Sequence, residues 1–406
     1  DLGGKRAGRG RPLLFHLAAG AIVIVLLLIE FLDELVFGAR EAAWPLIRND
    51  LGLTYAQVGL LLSVPAVVSN LLEPLFGVLG DVWRRRVLVL AGGAIFGGSL
   101  LLTASSPNIA FLLASFVCLY PASGAFVSLS QATLMDMAPA RREQNMARWT
   151  FAGSVGVVAG PLALAAATRL GLGWRGLFVG FAAFTFIVLA AARRAPYRTA
   201  GAATDDPARL DLSLVLAGLR GVLDALRSKA VWRWLILLES SDLLLDILLG
   251  FLALYLVDAA SATTEQAALA VAVWTGIGLL GDLLLIPLLE RVRGVDYLRV
   301  SAGLELLLFP AFLLVPSLGA KIVLLGLLGF FNAGWYAVLQ AGLYAALPGR
   351  SGTALAAKNI SGLAGGLIPL GLGLIAQRFG LPVAMWLLLM GPLALLIGLR
   401  PPSRRF

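Results

Sequence analysis

Residues 13–38 read LLFHLAAGAIVIVLLLIEFLDELVFG. An α-helix needs about 20 apolar residues to cross a hydrocarbon core about 30 Å thick, and this run is long enough, with its first carboxylate, Glu30, reached only deep inside it. Comparable runs follow at 55–79, 87–104, 109–134, 149–168, 174–192, 232–257, 266–289, 298–317, 321–346, 353–377 and 382–399. They make twelve predicted spans. With 59% hydrophobic and only 14% charged residues the chain departs from a soluble domain, and an all-α integral membrane protein follows. The basic residues ahead of the first run suggest a signal peptide, but the run is too long for one, carries Glu30 and lacks a small-residue cleavage pattern, so it stays as helix 1.

Outward from that run, sliding the chain against itself by 209 residues aligns its two halves without a gap. LLIEFLDEL at 27–35 falls on ILLESSDLL at 236–244, so Glu30 meets Glu239 and Asp33 meets Asp242. Thr54 and Gln57 fall on Thr263 and Gln266, two T-x-x-Q capping boxes that would satisfy unpaired first-turn amides of helices 2 and 8. Glu73 meets Asp282, Asp81 meets Glu290, and Gln131 meets Gln340. Six helices per repeat give both halves one orientation, the pattern of parallel-repeat transporters with a site between the halves. The expected domains are 1–195 and 231–406, joined by a connector, 196–230, whose Leu212, Leu216, Leu219, Leu223 and Leu226 recur at the spacing of an amphipathic surface helix.

The net charge of +9 could suggest nucleic acid, yet its distribution follows topology instead. Of 32 Lys and Arg, 26 lie in alternate connections together with the two termini; the opposite side keeps Arg40, Arg48, Arg169, Arg175, Lys321 and Arg378. A multi-pass protein of the inner, cytoplasmic membrane with both termini in the cytoplasm is expected, monomeric and without a nucleic-acid partner. Trp44, Trp83, Trp174 and Trp232 fall at helix ends, as an interfacial belt requires. One cysteine, Cys118, and one histidine, His16, exclude a disulfide, a Cys- or His-ligated metal and a histidine triad, so neither an enzyme nor a resident cofactor is expected. GIGLLG at 276–281 has the spacing of a dinucleotide loop but lies inside an apolar helix, where close packing explains it.

Between helices 2 and 3 stands GVLGDVWRRR, residues 77–86, with an echo, Glu290-Arg291-Val292-Arg293, after helix 8. This resembles the G-x-x-x-D-[RK]-x-G-[RK]-[RK] signature of the major facilitator superfamily: Gly77, Asp81, Arg85 and Arg86 match, whereas Val82 and Arg84 replace a basic residue and a glycine. The resemblance implies two six-helix bundles, a rocking movement, a cavity lined by helices 1, 4, 7 and 10, and a gate at Asp81, Arg85, Arg86, Glu290 and Arg291. GSVGVVAGP at 153–161 resembles the antiporter glycine motif of the family's exporters.

Carboxylates at mid-membrane cost about 2.5 kcal/mol or more each, so they face cavities and mark transport paths. Helix 1 carries Glu30, Asp33 and Glu34; helix 7 carries Glu239, Asp242 and Asp246. The repeat predicts that Glu30 approaches Glu239, and Asp33 approaches Asp242, across the pseudo-twofold axis, with few cations to offset them. Such a cluster would carry protons, bind a cationic substrate, or exchange the two. Gln131 on helix 4 and Asn332, Trp335, Tyr336 and Gln340 on helix 10 are candidate lining residues, aromatic faces suiting an organic cation. Glu73 and Asp282 are expected to gate, and Glu305 in peripheral helix 9 to be structural. The expected function is proton-coupled export of a small cationic or amphiphilic substrate; the alternative is a hard divalent cation held by Glu30, Asp33, Glu239 and Asp242.

Overall fold

The computed structural model describes residues 11–82, 85–137, 142–194, 223–347 and 351–399, and among them the secondary structure is helical. The spans are α1 (Arg11–Leu51), α2 (Tyr55–Val82), α3 (Arg85–Ser105), α4 (Ile109–Met137), α5 (Arg142–Arg169), α6 (Gly173–Arg194), α7 (Lys229–Ala260), α8 (Thr264–Leu289), α9 (Gly294–Leu314) and α10 (Leu318–Ala346). α11 runs through Ser351–Gly365 and Ile368–Phe379, and α12 is Leu381–Gly398. Eleven are long and apolar enough to cross a membrane. The other, α1, has the length but concentrates Glu30, Asp33 and Glu34 in its middle. It also continues well past the predicted end at Gly38, because Arg40 and Glu41 neutralise each other inside the bundle instead of ending the helix. Trp44, expected at the interface, is fully buried, its indole N–H donating to Glu41 Oε2 at 2.8 Å.

The repeat is imprinted on the backbone. Both capping boxes form: Thr54 N–H donates to Gln57 Oε1 and Gln57 N–H to Thr54 Oγ1, as Thr263 and Gln266 do at α8. Gly52 and Ser261, one repeat apart, are both left-handed, with φ of 62° and 55°, and end α1 and α7. The amphipathic connector lies outside the described residues up to 222; residues 223–226 are helical.

Glycines set how closely the helices approach. A Cβ on Gly156 or Gly160 of α5 would meet the α1 backbone at Phe31 and Leu35, so the 153–161 motif lets two helices touch backbone to backbone. Gly278 and Gly281 of α8 press likewise on Gly329 and Phe330 of α10, the role expected for GIGLLG.

At the end holding the α1–α2 turn, the halves are joined by polar contacts. Arg48 pairs with Asp258 at 2.7 Å, Tyr55 Oη donates to Asp258 at 2.7 Å, and Arg169 Nε donates to Glu265 at 2.5 Å. Tyr55 N–H donates to Gln377 Oε1, and Leu370 N–H to Ser63 Oγ. Past mid-membrane Asn70 Nδ2 still donates to the Gly362 carbonyl across the halves at 3.0 Å, whereas toward the other end Arg85 pairs with Asp136, Arg86 with the Arg193 carbonyl and Arg233 with the Gly398 carbonyl, each within one half. The protein is therefore closed at the Arg48 end. Asp258 holds two partners there, and partly exposed pairs contribute up to about 1 kcal/mol, or roughly fivefold in a two-state balance. Asp258→Ala is expected to add a longer population to the distance between spin labels at Leu51→Cys and Ser261→Cys, in a Cys118→Ser background; an unchanged distribution would show that the lock lies elsewhere.

Candidate functional site

α7 is not a continuous α-helix. Residues Leu243–Ile247 form a π turn, a wider coil that recurs at functional positions, and Asp246 lies in it. Asp246 is exposed although the residues that follow it, from Ile247 to Leu256, are buried, so its carboxylate faces open space inside the bundle. Charged groups of α1, namely Glu34, Arg40 and Glu41, act on it from the first half, and Asp242 and Lys358 from the second.

The three acids of α1 divide between two neighbours, since residues at i+3 and i+4 on a helix are displaced to either side of one line: Glu30 and Glu34 lie against α5 and Asp33 against α4. Glu30 is only 8% exposed; it lies against Gly153 of α5, and Trp149 donates to it. Asp33 accepts from Ser123 Oγ of α4 at 2.7 Å. Glu34 also lies against Gly153 and Gly156 of α5 and is within electrostatic reach of Asp246. Glu239 rests against Gly365 of α11 and is hydrogen-bonded by Ser361, while Asp242 senses Asp246, Lys358 and Glu239. The expected approach of Glu30 to Glu239 is thus corrected. Each packs against the glycine-bearing helix of its own half, and the acids within electrostatic reach of each other between the halves are Glu34 and Asp246.

Beside them the sequence reading passed over a buried cation. Arg40 donates to Glu41 Oε1 from Nε at 3.0 Å and from Nη2 at 2.5 Å, and its guanidinium lies 4.7 Å from the ring centre of Tyr120 and 5.1 Å from that of Phe37. Lys358, counted with the basic residues of the connections although it falls within the predicted span 353–377, stands inside α11. Its Nζ donates to Tyr336 Oη at 2.8 Å, 4.3 Å from that ring's centre. Both cations were findable from the repeat and the spacing: Lys358 is one repeat from Trp149, the donor to Glu30, and Arg40 follows Asp33 by two turns.

Several lining expectations are corrected by a break in α10. Gly334 adopts φ of 68°, and the turn is tied by Tyr297 Oη donating to the Ala333 carbonyl at 2.9 Å and by Asp282 accepting from Gly334 N–H at 2.8 Å. Asp282 therefore caps the second part of α10, where gating was expected. The break rotates Trp335 to α9, where it is fully buried and donates to Ser301 Oγ at 2.7 Å. Asn332 is buried and donates to the Leu244 carbonyl within the π turn, so it supports Asp246 instead of lining the space. Gln340 is buried, and Gln131 leans on Met146 Sδ of α5 at 3.7 Å. Tyr336, 43% exposed, faces open space.

Of the expected gate, the Asp81 side chain lies outside the described residues. Arg85 and Arg86 bind α4 and α6, and Glu290 and Arg291 are exposed at the end of α8. Glu73 accepts from Ser69 Oγ at 3.0 Å, against Gly124 of α4 and within electrostatic reach of Lys358. Glu305 is 0% exposed and, among the described residues, neither carboxylate oxygen has a hydrogen-bond partner. Among the described residues no three acidic, His or Cys side chains converge as metal ligands.

Known proteins agree with this architecture. A solved bacterial homologue of the human lysosomal transporter Spinster, in an inward-facing and occupied conformation, superposes with a TM-score of 0.72 at 16% identity, over 94% of each chain. The nucleoside transporter NupG superposes with a TM-score of 0.73 at 13% identity, over 93% of this chain and 98% of its own. A chloramphenicol resistance protein of Pseudomonas aeruginosa is 32% identical over 181 residues, 44% of this chain and 42% of that protein, so the match spans less than half of either. The family model described as Major Facilitator Superfamily matches residues 26–369, and the chain is a membrane transporter that belongs to that superfamily.

Proposed function

We propose that this transporter is a proton-coupled exporter of small amphiphilic organic molecules, cations among them. The carrying observation is Asp246, an exposed carboxylate at a π turn in mid-helix, faced by Glu34, Arg40 and Glu41 of the other half. A carboxylate in such low-dielectric space is neutralised by a proton or by a cation, and trading one for the other is exchange. The two cations that act on it, Arg40 and Lys358, lie on the rings of Phe37, Tyr120 and Tyr336, so the site offers aromatic faces in place of an oxygen-only ligand cage. The relative named for chloramphenicol resistance supports an aromatic amphiphile such as chloramphenicol as a probe. The positive-inside distribution puts the open end, near Arg85, in the cytoplasm, where an exporter loads.

The test is purified protein in acid-loaded liposomes with the membrane potential clamped. Tetraphenylphosphonium and chloramphenicol are expected to accumulate above protein-free liposomes, and dissipating the pH gradient is expected to release them. If neither probe accumulates, proton-coupled export of this class is wrong.

A further inference from the structure

Lys358 brings a positive charge into a space otherwise crowded with acids, and it is not bound by them. Among the described residues its ammonium lies within 4.0 Å of no carboxylate, although Glu73, Glu239, Asp242 and Asp246 all feel its charge. What holds it is Tyr336, through the hydroxyl at 2.8 Å and the ring face at 4.3 Å. Lys358 and Tyr336 both belong to the second half, so their contact does not depend on how the halves rock. Tyr336 is exposed, and the ammonium it holds acts on Asp246, which makes its ring the platform a substrate cation would use.

One aromatic face holds one cation at a time. Building on the exporter reading above, we propose that Lys358 is a tethered competitor for the organic-cation site: its ammonium occupies the Tyr336 ring in the unloaded protein and withdraws when a bulky lipophilic monocation binds there. The four-carbon stem of lysine lets the head retreat toward Glu73 or Asp242 without moving the backbone. Two consequences follow. The acids are never left without a positive neighbour when substrate departs. A tethered ammonium also acts at roughly millimolar or higher effective concentration, so a small cation with nothing but charge to offer loses to it, while one with its own apolar surface wins.

The test is equilibrium binding to the full-length protein in detergent, with no gradient applied, so its outcome is independent of proton coupling. Lys358→Gln is expected to tighten tetraphenylphosphonium by about tenfold, the effect of removing a like charge about 10 Å away at an effective dielectric near 20. Neutral chloramphenicol should change by less than about twofold, because a charge term does not act on it. Lys358→Arg should behave as wild type, and adding Tyr336→Leu to Lys358→Gln should erase the gain. An unchanged or weakened tetraphenylphosphonium affinity, an equal gain for chloramphenicol, or a gain that survives loss of the ring overturns the proposal. A measurement on the unsubstituted chain guards against a variant that does not fold: with lysines dimethylated, the Lys358 methyl resonance should leave the Tyr336 ring current as tetraphenylphosphonium is added. A resonance that stays put at the highest probe concentration also overturns it.

Discussion

Asp246→Asn is expected to abolish pH-gradient-driven accumulation of tetraphenylphosphonium and to weaken its equilibrium binding by about tenfold, the loss of one favourable charge at several ångströms. The substitution is close to isosteric and keeps the side chain polar, so the π turn and its Asn332 contact to the Leu244 carbonyl should survive. What the amide cannot do is take up and release a proton. Asp246 is also the acid that senses Glu34, Arg40 and Glu41 from the opposite half, so its charge state is read by both moving bodies. Asp50→Asn is the matched control: it removes a carboxylate that pairs with Arg175 at 2.8 Å near the closed end, away from the acids, and should leave accumulation intact. Gradient-driven transport at the wild-type rate in Asp246→Asn would remove Asp246 from the coupling reaction.

The architecture was legible because the sequence states it twice. Hydropathy marked the spans, and the gapless repeat predicted matched details as fine as the Thr54 and Thr263 capping boxes, which depend on local chemistry alone. Side-chain direction was less legible. The repeat pairs Glu30 with Glu239 in register, but register says nothing about which way a helix face turns, and glycines on α5 and α11 draw these two acids to their own halves. Helical periodicity also assumes an unbroken helix. The π turn of α7 and the left-handed Gly334 of α10 each shift the faces that follow, which is why Asp246 gained prominence and Trp335 lost it. Lys358 was missed because it falls near the start of its predicted span, 353–377, and the charge count took it with the connection before it.

The largest effect on stability is expected from Glu41→Ala. Arg40 and Glu41 are adjacent on α1, and their side chains are 6% and 3% exposed. Adjacent helical residues diverge by about 100°, so the pair forms with the Arg40 guanidinium folded back onto the rings of Tyr120 and Phe116. Glu41 additionally accepts from Trp44 Nε1, and Pro45, lacking an N–H, leaves the Glu41 carbonyl without its usual helical partner. Removing the carboxylate strands a guanidinium and an indole N–H in the bundle, a loss on the order of 3–5 kcal/mol, which should appear as thermal inactivation in detergent at a markedly lower temperature. The attribution to an uncompensated charge makes a second demand. Arg40→Met combined with Glu41→Leu removes both charges and fills the same volume, so stability should return most of the way to wild type. Transport should not return, because Arg40 also acts on Asp33 and Asp246. A double variant as unstable as Glu41→Ala would mean that the shape of the pair, not its charge, holds α1 against α4; a double variant that transports normally would mean that Arg40 has no part in the acidic site.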